Sequence, residues 1–321
     1  MSYIIFGGSG FVGGYLTKEL SKTDEVIICD LKKPEQENSK NVKYVKMDIR
    51  IPRTFDNIQV STNDIVINLA ANQYHTKVPK KNREKYFFDT NAKGTENILT
   101  WMEKNGMTHL VQYTTDMTYG KPKYLPVDTK HPQEPFGPYG QSKKKAEDIC
   151  REYRKKGMQI SIFRPRMING PGRLGILEKL FILIKLNLPV PTIGNGKNCY
   201  QMISVFDCVS ATCLAIQKGC PNSEYNLGSE NAPSTHDLLK GLARSVGSKS
   251  VVLPTPGKLV KLILGILGKI GLEIMYKEQY MIADENYILD VSTTSKELGW
   301  KPLYNDQDMI IQAYQEWYNK K

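Results

Sequence analysis

The chain has 321 residues, of which 40% are hydrophobic and 24% charged. This balance is typical of a globular protein with a sizeable core and excludes a disordered or fibrous chain. The formal net charge of +11 favours polyanionic partners such as phosphorylated substrates or anionic lipid. Because the lysines are spread along the chain and accompany no nucleic-acid-binding motif, we expect no nucleic acid partner.

Cysteine usage and hydropathy predict the compartment. The six cysteines form no C-x-x-C pair and no cluster with histidine, so we expect neither a metal site nor disulfide bonds. The sequence starts directly with a strand-like segment and contains no apolar stretch of about 20 residues, the length that spans a bilayer. These features predict a cytoplasmic protein.

Short β-branched runs alternate with helix-like stretches in the first half of the chain. The predicted strands are Tyr3–Phe6, Glu25–Asp30, Val42–Lys46, Ile65–Leu69, His109–Tyr113 and Gln159–Arg164. This alternation predicts an α/β fold with a doubly wound parallel sheet of the Rossmann type. Glycines and prolines then interrupt the pattern. We therefore predict a Rossmann domain over residues 1–168 and a smaller, mainly substrate-binding lobe over 169–321, with parts near 200–230 returning to the sheet.

A glycine-rich loop follows the first strand and opens a helix predicted over Phe11–Leu20. Gly7, Gly10 and Gly13 form the pattern G-x-x-G-x-x-G. In such loops the glycines permit a tight turn, the approach of a dinucleotide pyrophosphate, and close packing of helix on strand. The helix N-terminus, at Phe11 and Val12, would then face the phosphates. A plain glycine-rich turn is the alternative that this pattern alone leaves open.

The ends of later strands extend the predicted cofactor site. Asp30 ends the second strand about 20 residues beyond the loop, where a carboxylate can hydrogen-bond both ribose hydroxyls and would repel a 2′-phosphate. NAD is therefore favoured over NADP, a preference that Lys32 and Lys33 soften. The other residues expected to line the cofactor path are Asp48, Ile49, Leu69, Ala70 and Ala71.

A Tyr-x-x-x-Lys pattern begins the helix predicted from Tyr139 to Lys156. This spacing puts Tyr139 and Lys143 on one helical face, where the ammonium would stabilise the phenolate and lower the pKa of the tyrosine. Such a phenol can act as an acid or base near neutral pH. The alternative is that the tyrosine and the lysine lie on a surface helix by chance. That alternative does not explain the dinucleotide loop upstream.

With these motifs the chain resembles the extended short-chain dehydrogenase/reductases, and among them the NAD-dependent sugar epimerases of the UDP-glucose 4-epimerase type. The further matching segments are 91–95, 114–120, 138–143, 225–228 and 298–302. The resemblance implies that Thr115 is the catalytic hydroxyl beside Tyr139, and that Lys143 also holds the nicotinamide ribose. It further implies that Asn91 abuts the cofactor and that the protein is a homodimer.

Departures from the family pattern narrow the expected reaction. Related sugar 4,6-dehydratases carry Thr-Asp-Glu where this chain has Thr115, Asp116 and Met117. A thioether cannot take a proton, so dehydration is disfavoured. Asp116 remains either a substrate contact or a capping carboxylate.

Two further departures concern how a diphosphate would be held. Met167 and Tyr200 stand where nucleotide-sugar enzymes usually have Asn and Arg. The segment 164–170, which contains Met167, looks closer to relatives that act on lipid-linked sugars or sterols, and Arg166 would supply the missing charge.

The leading hypothesis is 4-epimerisation of a diphosphate-linked sugar. Tyr139 removes a hydroxyl proton while C4 passes a hydride to NAD, and the keto sugar turns and is reduced on its other face. A keto-sugar reductase, a sugar dehydrogenase or a sterol-type dehydrogenase would use the same residues. A cofactor-sensing protein without turnover is the non-enzymatic alternative.

The lysine-bearing aliphatic segment 257–272 has two interpretations. Lys258, Lys261 and Lys269 beside many aliphatic residues would suit an anionic membrane surface, where a polyprenyl-diphosphate-linked sugar would be the substrate. A core-packing helix with outward lysines is the commoner fate of such a pattern.

Overall fold

The computed structural model describes residues 1–34, 40–74, 78–173 and 177–320. The strands are β1 (Ser2–Phe6), β2 (Glu25–Asp30), β3 (Val42–Lys46), β4 (Ile65–Asn68), β5 (His109–Tyr113), β6 (Gln159–Pro165), β7 (Ile168–Asn169), β8 (Val190–Ile193), β9 (Ile203–Ser204), β10 (Glu224–Leu227) and β11 (Val252–Thr255). The helices are α1 (Phe11–Leu20), α2 (Arg83–Phe88), α3 (Gly94–Lys104), α4 (Pro138–Lys155), α5 (Leu177–Lys185), α6 (Val205–Gln217), α7 (Thr235–Ser245), α8 (Gly257–Lys269), α9 (Lys277–Tyr280), α10 (Ser292–Leu298) and α11 (Asp306–Asn319).

Seven of these strands form one parallel sheet in the order β10-β6-β5-β4-β1-β2-β3. Its central strands are apolar almost throughout because helices cover both faces. One face packs against Leu16 of α1 and Cys208 of α6. The other packs against Ile98 of α3 and Cys150 of α4. The predicted Rossmann-type α/β fold is confirmed, and six of the seven strands were predicted to within one residue at each end.

The chain changes direction in the sheet between β1 and β4. Strand β1 pairs with β2 on one side and β4 on the other, so the connections run to opposite sides of this point. Doubly wound sheets bind their ligands in the crevice outside the carboxyl ends of the strands at such a switch point. The glycine loop after Phe6 and the residues after Asn68 therefore flank the crevice.

The later part of the chain divides between the sheet and a smaller lobe. Helix α6 packs on the main sheet, and β10 is the edge strand next to β6. A separate core in the lobe joins Phe181 of α5, Leu242 of α7 and Trp317 of α11. Two short parallel pairs, β8 with β11 and β7 with β9, complete it.

Helix α8 departs from the core-packing interpretation of its sequence. Leu264 is its buried residue, and most of its other aliphatic side chains are exposed. The core-packing interpretation is therefore wrong for this helix: periodicity reveals an apolar face but not whether another element covers it. In the described ranges no helix combines the length and hydropathy needed to cross a membrane.

Candidate active site

The glycine loop contains positions at which a side chain would clash with the backbone. Gly7 has a φ of +78°, and a Cβ at this position would lie 2.6 Å from the backbone nitrogen of Ala70. A Cβ on Gly13 would lie 2.6 Å from the carbonyl oxygen of Gly7, so helix α1 approaches the loop too closely for a larger residue. Gly10 is the N-cap of α1 and offers no capping side chain. The N–H groups of Phe11 and Val12 thus start a helix that can receive a phosphate.

The carboxylate of Asp30 lies at the edge of this loop. Its Oδ2 accepts a hydrogen bond from the Ser9 N–H at 3.1 Å, and its Oδ1 accepts one from the Lys32 N–H at 3.1 Å. Half-buried at the end of β2, it occupies the place where the carboxylate of a dinucleotide site binds ribose hydroxyls. The loop, the helix start and this carboxylate together fit NAD.

The remaining residues predicted for the cofactor path differ in the protein groups that they contact. Asp48 is held by Arg50, whose Nη2 donates to its Oδ2 at 2.6 Å, and these hydrogen bonds keep the pKa of Asp48 below its usual range. Ile49 is buried against Gly94. The segment that follows β4 lies beside the glycine loop and includes Leu69, Ala70 and Ala71.

Thr115 and Tyr139 meet although different elements carry them. Thr115 follows β5 and caps a short 3-10 helix by accepting the Met117 N–H at 3.2 Å. Tyr139 lies in the first turn of α4, whose start is favoured by Pro138. Both side chains line the same cavity, and the Thr115 hydroxyl acts to lower the pKa of the Tyr139 phenol, against the effect of burial. The structure therefore brings two of the three predicted catalytic groups together.

Lys143 lies on the same helix but does not act on Tyr139 as its spacing predicted. Burial lowers the pKa of Lys143 to about 8, and its Nζ donates to the main-chain oxygen of Tyr113 at 3.0 Å. Burial raises the pKa of Tyr139, and the main opposing charge is that of Arg173. The expectation of a lowered pKa for Tyr139 is thus wrong for this structure, because the phenol is desolvated and the Lys143 ammonium donates to the main chain instead.

Asn91 connects α4, the helix that carries Tyr139, to the segment after β4. It is buried in a π-helical turn, and its Nδ2 donates to the Ser142 Oγ at 2.9 Å. Its Oδ1 accepts the Asn72 N–H at 2.9 Å. The side chain thus ties α4 to the segment after β4, and its amide is already engaged by protein groups.

A cavity of about 610 Å³ opens beside Thr115 and Tyr139. The four residues predicted to contact the substrate all line it: Asp116, Arg166, Met167 and Tyr200. Within the described parts of the chain, no group of three or more His, Cys, Asp or Glu side chains is arranged to hold a metal ion.

Arg166 is committed to protein partners inside this cavity wall. Its Nη1 contacts the Asp116 carboxylate, and its guanidinium lies 4.0 Å from the Tyr200 ring centroid and 3.9 Å from that of Tyr287. Two aromatic faces and a carboxylate stabilise the buried cation. These groups balance part of its charge, while its buried Nε and Nη2 have no hydrogen-bond acceptor among the residues that the structure describes.

Sequence reasoning missed several residues at the rim of the cavity. Arg173 and Gln73 line it, with the Arg173 Nη2 donating to the Gln73 Oε1 at 2.8 Å. Tyr276 stacks on Tyr74, whose ring lies 5.3 Å from that of Tyr139. Gln73 could have been found by extending the strand-end argument beyond Ala71. The others lack a local signal, since they come from irregular segments far apart in sequence.

A buried network holds α4 against the sheet behind Thr115 and Tyr139. Glu147 accepts a hydrogen bond from the Thr114 hydroxyl at 2.7 Å and pairs with the Arg164 Nη2 at 2.6 Å. Both members of the ion pair are almost fully buried, with side-chain exposures of 1% for Arg164 and 0% for Glu147. This network fixes the distance between β5, which ends just before Thr115, and the helix that carries Tyr139.

Comparisons with known proteins agree with this geometry. A model of the NAD dependent epimerase/dehydratase family matches residues 3–228. A putative UDP-glucose 4-epimerase of Methanocaldococcus jannaschii is 29% identical over 277 residues, covering 82% of this chain and 89% of the relative. An N-acetyl-alpha-D-glucosaminyl-diphospho-ditrans,octacis-undecaprenol 4-epimerase of Escherichia coli O157:H7 is 28% identical over 284 residues, covering 85% of this chain and 80% of the relative.

Solved structures share the fold over the full length. The UDP-glucuronic acid 4-epimerase of Bacillus cereus, in complex with UDP-glucuronic acid and NAD, superposes with a TM-score of 0.79. The match covers 100% of both chains at 19% sequence identity. At this identity the likeness concerns the fold.

Proposed function

Because the chain belongs to the NAD-dependent epimerase/dehydratase family, we propose that it is a 4-epimerase of a sugar carried on a diphosphate. It is an NAD-dependent enzyme of the extended short-chain dehydrogenase/reductase type. One observation carries the proposal: Thr115 and Tyr139 meet at the wall of a cavity whose other residues suit a polar substrate. A sensing protein without turnover would need no such pair.

In the proposed reaction Tyr139 exchanges a proton with the sugar hydroxyl, and Thr115 holds that same oxygen. The glycine loop and Asp30 would hold NAD, which would supply a hydride acceptor and a positively charged ring. The O4 proton moves to the Tyr139 oxygen as the C4 hydride leaves with its electron pair. After the keto sugar has turned, the hydride would return to the opposite face of C4 and the proton from Tyr139 to O4, so no reductant or oxidant is consumed.

The charge around Tyr139 explains how the phenol can ionise. Burial alone keeps it protonated, because a phenolate in an apolar site lacks solvation. The positive charge of Arg173 and the Thr115 hydroxyl both act to lower the pKa of Tyr139. The tyrosine therefore becomes a base once further positive charge enters the site.

The cavity wall supports epimerisation over dehydration. Met117 lines the cavity next to Asp116, at the position from which a dehydratase would remove the C5 proton. Its thioether cannot serve as that base. The neighbouring Asp116 is tied to Arg166 and so is poorly placed to take over the role.

The carrier and the assembly belong to the same proposal. The cationic residues Arg173 and Lys179 line the cavity and suit a diphosphate. The 4-epimerase from Escherichia coli O157:H7 makes a polyprenyl carrier the second candidate beside a nucleotide. We also propose that the protein is a homodimer, which light scattering of the purified chain would test.

The experiment is an NMR assay of purified protein with UDP-glucose, UDP-N-acetylglucosamine and UDP-glucuronic acid, without added cofactor. An epimerase should form the C4 epimer from at least one of them, with no net absorbance change at 340 nm. Product formed in D₂O should carry no deuterium at C4, since the hydride returns within the site. Turnover that consumes NADH or NADPH stoichiometrically would instead establish the keto-sugar reductase alternative, and turnover that consumes NAD or NADP stoichiometrically would establish the sugar dehydrogenase alternative.

A further inference from the structure

One surface of the substrate lobe is unusually apolar. Four aliphatic side chains of α8 are exposed to solvent over about half of their surface: Leu259 (52% exposed), Leu262 (61%), Ile263 (46%) and Ile266 (51%). The segment that follows continues the surface with Ile270, Leu272 and Ile274. We call these seven residues the aliphatic face. Such a continuous exposed group marks an interaction site in a globular protein.

The orientation of α8 is fixed from its other side. Leu264 is buried. A Cβ at position 265 would lie 3.4 Å from the Tyr280 hydroxyl, so Gly265 also faces the lobe. The Lys261 Nζ donates to the main-chain oxygen of Met281 at 2.9 Å and pairs with the Asp284 carboxylate. The helix is therefore anchored to the lobe and presents the aliphatic face outward.

Positive charge surrounds this face. Segment 257–269 contains lysines but no acidic residue, and Lys258 and Lys269 are exposed. Lys80 reaches the C-terminal end of the helix, since a Cβ on Gly271 would lie 2.8 Å from its Nζ. Of the acidic groups nearby, Asp284 pairs with Lys261, and Glu273 has the Arg83 guanidinium at 4.0 Å. The surface thus combines aliphatic residues with cationic ones.

The aliphatic face is continuous with the mouth of the cavity. Ile274 belongs to both, and Glu273 and Tyr276 on either side of it also line the cavity. Lys179 of α5 lines the cavity too, and its Nζ donates to the main-chain oxygen of Ile274 at 3.0 Å. A surface bound by the aliphatic face would therefore lie next to the entrance for substrate.

We propose that the aliphatic face docks α8 in the plane of an anionic lipid surface, so that the cavity receives a sugar whose diphosphate is joined to a membrane lipid. The second half of this inference rests on the proposed function. A helix of 13 residues is about 20 Å long, which suits a helix lying along a bilayer rather than crossing it. Lysines around the aliphatic residues favour a bilayer with negative headgroups over a second copy of this cationic chain.

Vesicle sedimentation of the full-length protein tests the docking. We expect binding to vesicles of phosphatidylglycerol and phosphatidylcholine at low salt, with at least a tenfold weaker affinity for phosphatidylcholine alone or at 0.5 M salt, as expected for screened charge. Leu262→Glu should weaken binding at least tenfold. Leu303→Glu is the matched control, because Leu303 is 79% exposed outside the aliphatic face and should leave binding unchanged.

Turnover and oligomeric state separate the outcomes. Leu262→Glu should retain wild-type epimerisation of a soluble UDP-sugar, which also shows that the variant is folded. Epimerisation without vesicle binding overturns the docking and leaves the proposed function in place. Vesicle binding without epimerisation of a soluble or lipid-linked sugar overturns the proposed function and the second half of this inference, and leaves the docking of α8 in place. A further outcome is that the wild type fails to bind vesicles while Leu262→Glu dissociates an oligomer. That result would make the aliphatic face an interface between copies of the chain, and the proposal would be wrong.

Discussion

Lys143 donates a hydrogen bond from its Nζ to the main-chain oxygen of Tyr113 at 3.0 Å. Tyr113 is the last residue of β5, so this bond joins the catalytic helix to the strand that leads to Thr115. The ammonium has left water to make it, and burial lowers its pKa to about 8. The lysine thus reduces stability at neutral pH, because the unfolded chain holds the same proton more tightly.

Lys143→Met should therefore stabilise the protein at pH 7. The shift of the pKa from 10.5 to about 8 corresponds to roughly 3 kcal/mol, from which the lost hydrogen bond subtracts about 1 kcal/mol. Between pH 8 and pH 10.5 the folded state releases this proton while the unfolded state keeps it. The wild type therefore gains stability as the pH rises, and the difference in stability between wild type and variant shrinks. Urea unfolding at pH 7 and pH 10 measures this change.

Lys144→Met is the control for that comparison. Lys144 lies on the same helix but is partly exposed and pairs with Asp148. Its substitution should alter stability by less than about 1 kcal/mol at either pH. A Lys143→Met variant with the same stability difference at both pH values would contradict the proposed cost of the buried ammonium.

Tyr139→Phe should reduce turnover by about 10²-fold or more, since general acid–base catalysis contributes about 10²- to 10⁴-fold. NAD affinity should remain close to that of the wild type, because the glycine loop and Asp30 are unchanged. Steady-state rates and calorimetric NAD titration check the two halves. Tyr153→Phe, on the same helix but hydrogen-bonded to Thr100 away from the cavity, should keep normal turnover. Normal rates for Tyr139→Phe would assign the proton transfer to another group.

Asp30→Ala should weaken NAD binding by about tenfold or more, since a hydrogen bond to a charged group contributes about 1.5–3 kcal/mol. It should also reduce the preference for NAD over NADP, because the carboxylate that repels a 2′-phosphate is gone. Glu25→Ala, at the opposite end of the same strand, should change neither affinity. Tighter binding of NADP than NAD by the wild type would contradict the role given to Asp30.

Asp116 and Arg166 should be strongly coupled in stability. Arg166→Met leaves a buried carboxylate without its partner and should cost about 3–5 kcal/mol. Combining it with Asp116→Asn should recover a large part of that loss. A double-mutant cycle by chemical denaturation measures the coupling, and additive effects would show that the pair does not act as a unit.

The sequence predicted the features that depend on local spacing. The strands of the sheet, the glycine loop and the common helical face of Tyr139 and Lys143 follow from periodicity and from short motifs. Burial is set by residues distant in sequence, so the low pKa of Lys143 could not be read from its spacing. For the same reason the positions of Arg173 and Tyr276 at the cavity rim were missed.

The Glu147–Arg164 pair lies behind the catalytic groups and does not line the cavity. Cavity-wall positions such as Met167, Tyr200 and Ile274 lie on other segments, outside α4. Under the proposed function, the network that positions Thr115 and Tyr139 is therefore separate from much of the wall that would contact the sugar. Selection or laboratory engineering can exchange the wall for a new substrate while the reactive groups keep their geometry.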